Sequence, residues 1–221
     1  MRSAIMGSIL VLLSLGLAVA EESVSSGFTA YQPPLRGAPS GRFGGGARGL
    51  TMTDGLQLCA LAPDHVGWTS ERKPTLYWFS SRALAKPLSF TLTRLGDGKL
   101  MLQQEVTAAT GGMHRLELEH ALEPYQVYSW RLRSPSTGDS VGGELRYVKA
   151  DLSLKNALRA ENARTAETYA STGRWYDAIA TLSRQIEQSP NPAPLYRQRS
   201  RWLEQVNLPI VSAWDRQMAT R

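Results

Sequence analysis

"LEPYQVYSWRLR", residues 122–133, decides the fold. Within it Tyr128, Trp130 and Leu132 alternate with Ser129, Arg131 and Arg133. A period of two sends successive side chains to opposite faces of a strand, one toward a core and one toward water. The pattern repeats on either side. "PTLYWFS" (74–80) leads to "LSFTLTRL" (88–95), where Leu88, Phe90 and Leu92 alternate with Ser89, Thr91 and Thr93. Gly96-Asp97-Gly98 supplies a tight turn before "KLMLQQEV" (99–106). "HRLELEH" (114–120) and "GELRYVKA" (143–150) complete the set. Short strands at this spacing, separated by turn signals, predict an antiparallel sandwich over residues 58–150.

Leu122, Pro124 and Tyr128 also fall as L-x-P-x-x-x-Y at the mouth of a strand. This resembles the tyrosine corner of immunoglobulin and fibronectin type III sandwiches, whose Tyr hydroxyl bonds back to upstream backbone. From about Ser153 the period becomes helical. Ala166, Tyr169, Gly173, Trp175, Ala178, Leu182 and Pro190 sit where a tetratricopeptide-like repeat wants small, aromatic, turn, aromatic, small, large and stop. Asn162, Thr165 and Gln185 depart from that pattern. Leu195, Trp202, Leu203 and Val206 offer a third, capping helix, so the helical region is read as 152–206. Residues 207–221 are read as a tail carrying a weak stripe of Val211, Trp214 and Met218. The expected class is β plus α: an immunoglobulin-like β-sandwich followed by a small tetratricopeptide-like helical region.

The first 20 residues read as a secretory signal. Arg2 precedes an apolar run over 9–17, broken only by Ser14 and Gly16, and Ala18-Val19-Ala20 offers a small-x-small cleavage site after Ala20. No later stretch approaches the ~20 apolar residues that a transmembrane helix requires. The expected location is periplasmic or secreted, which also argues against nucleic acid as a partner. Residues 21–57 are rich in Gly, Pro and Arg, have no apolar period, and are read as a disordered leader. Gly44-Gly45-Gly46 has neither a strand before it nor Lys-Ser/Thr after it, so a phosphate cradle is not expected there.

The chain carries 25 basic and 19 acidic residues, a formal net charge of +6, and 20 of the basic residues are Arg. Arginine favours fixed, planar contacts to carboxylate, phosphate or sulfate. Arg36, Arg42 and Arg48 recur every six residues in the leader; Arg197, Arg199 and Arg201 precede Trp202, with Trp214 further on. These eight residues form the candidate binding set, although helical spacing fans the last three Arg around their helix.

Catalytic chemistry is harder to find. His114 and His120 would stand about 20 Å apart along a strand, too far to share a metal. Cys59, His65 and Asp64 are close in sequence, but no nucleophile–base–orienter set is marked. Cys59 is the lone cysteine, so no internal disulfide is available. No enzyme, metal or cofactor is expected. Along the first helix, Ala160, Ala163, Glu167, Ala170 and Ser171 would line a groove that is small and nearly uncharged. That groove is suited to another helix or to packing on the sandwich.

Three segments in order carry a family resemblance. They are "PPLRGAP" with "RFGGGARG", then "CALAPDHVGWTSERKPTLYWF", then "LEPYQVYSWRL" followed by "GRWYDAIATL". Together, over residues 33–206, they resemble the bacterial domain of unknown function 928 family. That family often carries a second Cys after the strand holding Trp130, where this chain reads "RLRSPSTGD". The resemblance implies a fold and an exported location, and no chemistry. The expected role is an exported, non-enzymatic envelope protein that contacts or scaffolds an unidentified protein partner. The alternatives are a binder of anionic envelope polymers through the Arg-rich leader and tail, and an enzyme with its site in the Cys59–His65 loop.

Overall fold

The computed structural model of the chain describes residues 28–34, 47–51, 55–160 and 164–221. The signal read over 1–20, the triple glycine 44–46, and Arg36, Arg42, Asn162 and Ala163 lie outside these residues. Among the described residues, nine strands form two sheets: β1 (Gly49–Thr51), β2 (Gln57–Ala60), β3 (Gly67–Thr69), β4 (Thr75–Ser80), β5 (Leu88–Arg94), β6 (Lys99–Val106), β7 (Gly112–Glu117), β8 (Val127–Arg133) and β9 (Ser140–Tyr147). One sheet runs β1-β2-β4-β7 and the other β3-β9-β8-β5-β6. All pairings are antiparallel except β3 with β9.

The alternation read from 122–133 is realised in β8. Tyr128, Trp130 and Leu132 are fully buried, and β5 presents Leu92 opposite Trp130 and Phe90 opposite Leu132. The Tyr128 hydroxyl accepts the Glu123 N–H at 3.0 Å. The ring thus packs in the core while its oxygen satisfies a backbone donor at the strand mouth. His114 lies in β7 opposite Trp78, its ring centroid 4.3 Å from the indole and its Nε2 2.9 Å from Ser80 Oγ. Burial lowers its pKa.

The described residues that follow form α1 (Leu152–Arg159), α2 (Thr165–Ser171), α3 (Trp175–Gln188), α4 (Ala193–Gln205) and α5 (Pro209–Met218). The Asp151 carboxylate caps α1 by accepting the Leu154 N–H at 2.8 Å. Gly173, at φ +75°, turns the chain from α2 into α3. One hydrophobic cluster joins the two sheets to the helices: Trp175, Tyr176, Leu182, Trp202 and Val211 belong to it together with Trp78, Phe90 and Trp130.

Two readings of the sequence need correction. The leader 21–57 is not uniformly loose, because residues 28–34 cross the helices with Tyr31 only 3% exposed, and β1 pairs with β2. Its order rests on isolated side chains and backbone bonds, which leave no apolar period. Residues 207–221 are not a tail either. They hold α5, which packs on α4 and buries Val211, Ser212 and Asp215.

Candidate functional site

The first turn of α3 builds the junction between helices and sheets. Trp175 Nε1 donates to the Leu61 carbonyl at 2.9 Å. Tyr176 reaches between the sheets: its hydroxyl accepts from Trp130 Nε1 at 3.0 Å and donates to the Glu144 carbonyl at 2.9 Å. Gly67 makes room for that ring, since a Cβ there would stand 2.6 Å from Tyr176 Cε2. Asp177 completes the turn. Its carboxylate accepts from Thr69 Oγ1 at 2.7 Å, from the Ser70 N–H at 2.6 Å and from Ser70 Oγ at 2.8 Å. Burial nevertheless pushes its pKa up to about 6, the desolvation of the anion outweighing the three donors. Beside it opens a cleft of about 160 Å³ lined by Glu71, Lys73, Tyr169 and Arg184. Because the carboxylate is saturated by its own donors, it acts as a latch between α3 and β3 rather than as a free acid or base.

A second constellation involves residues 28–34, a strap laid over the helical end. The Thr29 carbonyl accepts from Trp202 Nε1 at 2.7 Å, the Tyr31 N–H donates to Gln205 Oε1 at 2.9 Å, and the Gln32 N–H donates to the Ala170 carbonyl at 3.0 Å. The Tyr31 ring meets Trp175 edge-on at 4.9 Å and stacks on His65 at 5.9 Å. Pro34 lies against Gly173. Two of the three hydrogen bonds use backbone N–H groups of the strap and the third its carbonyl, which is how an extended peptide is held in a groove.

His65 joins this arrangement. Its Nδ1 lies 3.0 Å from Asp64 Oδ1 and its Nε2 2.9 Å from the Tyr31 hydroxyl. The Asp64 pKa is lowered, chiefly by the hydrogen bond to His65. Burial raises the Tyr31 pKa far above the ordinary phenol value, so its hydroxyl stays protonated. Cys59, six residues from His65 in sequence, is 1% exposed in β2, and burial pushes its thiol up to about 11. A thiolate nucleophile is disfavoured there. Among the described residues, no group of three or more His, Cys, Asp or Glu side chains is placed to hold a metal ion.

The arginines read from the sequence do not form one patch. Arg48 donates through Nη1 to the Val206 carbonyl at 2.6 Å, tying the segment before β1 to the end of α4. Arg199 is 3% exposed and belongs to the interior. It forms a two-pronged ion pair with Asp215, 2.8 Å on each prong, and donates through Nη1 to Ser183 Oγ at 2.8 Å. Trp202 is fully buried. Both are therefore withdrawn from the candidate binding set, because neither offers surface to a ligand. Trp214 is half-buried and meets Phe79 edge-on at 5.3 Å. Arg197 and Arg201 remain exposed, and Arg201 covers the Phe28 ring at 5.0 Å.

Sequence reasoning missed the strap residues Thr29, Tyr31 and Gln32, which carry no periodic signal. Asp177 was more findable, as a carboxylate embedded in the apolar first turn "WYDAIA".

Among solved structures, the chain is similar to the titin M10–obscurin-like 1 Ig complex at 18% identity and a TM-score of 0.23, covering 42% of this chain and 96% of that one. No curated protein matches. The family model for a Domain of Unknown Function (DUF928) matches residues 43–215, and the chain belongs to that family.

Proposed function

We propose that the chain is an exported, non-enzymatic envelope protein that makes protein contacts through its helical end. An immunoglobulin-like sandwich carries a tetratricopeptide-like region; the Tyr128–Glu123 bond, the Gly173 turn and the buried Ala166, Ala170 and Ala178 support that description. The observation that carries the functional reading is the strap: the helical end already holds an extended peptide, taken from its own chain. At the start of the strap, Phe28 together with Arg197 and Arg201 of α4 presents an aromatic–arginine surface of the composition found at binding hot spots. The buried Cys59 thiol and the engagement of both His65 ring nitrogens favour a binding role over catalysis. The burial of Arg199 and the internal bond of Arg48 weigh against the polyanion alternative, because both guanidinium groups are spent inside the fold.

The test is cross-linked recovery from cell-envelope extract with the mature chain and a Phe28→Ala/Arg201→Glu variant, each at low and high salt. Truncation at Ala150 is unsuitable, since it would remove Tyr176 from the core it shares with Trp130. The reading expects one discrete protein, retained at high salt and lost in the variant. Equal recovery by both chains refutes it, and material that vanishes steeply with salt points to an anionic polymer instead.

A further inference from the structure

On the outer face of the second sheet, at its β3 edge, Arg174 lies over Trp68 and Arg146 is the register partner of Trp68; buried nitrogens of both arginines have no hydrogen-bond partner. Arg174 is the residue before α3 and is only 5% exposed, with its guanidinium 5.7 Å over the Trp68 ring. Neither its Nε nor its Nη1 has a hydrogen-bond partner. Arg146 stands opposite Trp68 in the β3–β9 register, so the two side chains leave the sheet on the same face; the buried Nε of Arg146 also has no partner.

The carboxylates that act on Arg174 are engaged elsewhere. Asp177 and Asp151 act on Arg174 electrostatically, but the oxygens of Asp177 are taken by Thr69 and Ser70, and Asp151 caps α1. Among the described residues Arg174 makes no ion pair. The N-terminus of α3 adds to the local positive potential, because no side chain caps it and its first N–H groups have no intrahelical acceptor. A buried cation without a hydrogen-bonded counter-charge is costly, and cation–π contact with one indole offsets that cost only in part. The guanidinium is planar, and its N–H groups form a fixed fork that suits a two-oxygen acceptor.

We infer that Arg174, lying over Trp68 at the start of α3, forms with Arg146, the register partner of Trp68, a binding site for a single oxyanion group, a carboxylate or a phosphate. The site adjoins the end of the strap, where Pro34 lies against Gly173, but uses none of the Phe28, Arg197 and Arg201 surface, so it does not depend on the protein-contact reading. Its two arginines supply the charge, and the Trp68 ring backs the Arg174 guanidinium.

The experiment titrates the full mature chain with inorganic phosphate and, separately, with acetate, replacing chloride at constant ionic strength. It reads the Arg174 Nε–H resonance and the thermal midpoint. Three variants accompany it: Arg174→Met, Arg174→Lys and Arg146→Met. Removing an unanswered buried charge for an apolar side chain leaves the fold intact or firmer, so the first variant is a folded control. The expected result is a saturable shift of the Arg174 resonance and a rise in midpoint with at least one anion. Arg174→Met abolishes that rise, while Arg174→Lys and Arg146→Met weaken the apparent Kd by about tenfold or more, through loss of the planar fork and of the second cation. A response to phosphate alone identifies the phosphate source, and a response to acetate alone the carboxylate source. The inference is overturned if neither anion shifts the resonance, or if the midpoint of Arg174→Met rises as much as that of the parent chain.

Discussion

The two-sheet body and the helical end are held together by different means. Between the sheets the interior is almost wholly apolar, built from Leu76, Trp78, Phe90, Leu92, Trp130 and Leu132, with the Tyr128 hydroxyl turned to one backbone donor. In the helical end the interior contains ions. Arg199 and Asp215 are paired at 3% and 0% exposure, and Asp177 is latched to β3. Apolar burial stabilises without direction, whereas buried polar groups tolerate only arrangements that satisfy them. Apolar burial is common to both regions, and the buried polar groups of the helical end fix how α3, α4 and α5 sit on one another and on β3.

The largest blow to this division comes from Arg199→Ala. It leaves the Asp215 carboxylate buried without its partner, and denaturant unfolding is expected to show a loss of about 3–5 kcal/mol. A matched Arg199→Met/Asp215→Leu chain should recover most of that loss, because it removes both charges together. If the single variant costs no more than an exposed pair would, the buried ions are not what orders the helices.

The next effect is one of pH. The Asp177 pKa is raised in the folded chain, to about 6. The folded state therefore keeps a proton that the unfolded chain releases near pH 4, and stability falls as pH rises from about 4 to about 6 before levelling. The size of that fall is about 3 kcal/mol at most. Asp177→Asn should erase the slope whatever it does to the height of the curve. A profile with the same slope in both chains would assign it to another group.

The smallest effect belongs to the apolar half. Tyr128→Phe keeps the ring and deletes only the acceptor for the Glu123 N–H, with an expected cost of about 1 kcal/mol by thermal or chemical unfolding. Were it to cost as much as Arg199→Ala, the contrast between the two regions would collapse.

Most of the sheet was legible because alternation is a local signal: Tyr128, Trp130 and Leu132 announce a strand face without reference to anything distant. The α2–α3 turn was legible for a similar reason, from Gly173 and the spacing of Ala166, Trp175 and Leu182. The strap was not. Tyr31 is a single aromatic in a Pro- and Gly-rich stretch, and what buries it lies 34 to 174 residues away at His65 and Gln205. The arginines misled for the opposite reason. Arg197, Arg199 and Arg201 look alike in sequence, and only the presence of Asp215 on α5 selects Arg199 for the interior. A signal for that choice did exist, since Asp215 interrupts the stripe of Val211, Trp214 and Met218 on the inward side of α5. The orphaned nitrogens of Arg174 and Arg146 had no sequence signal at all, because a missing partner is a property of the assembled fold.

The strap also imposes an order of events. Its seat consists of Ala170, Trp202 and Gln205, which leave the ribosome long after residues 28–34 do. Until α4 has formed, the strap lacks two of its three hydrogen-bond partners, Trp202 and Gln205, so its full capture belongs to the closing stage of folding. Contacts of such long sequence separation are also the slow ones to establish. An early segment thus waits on a late one, and the seated strap becomes a seal that marks a finished molecule.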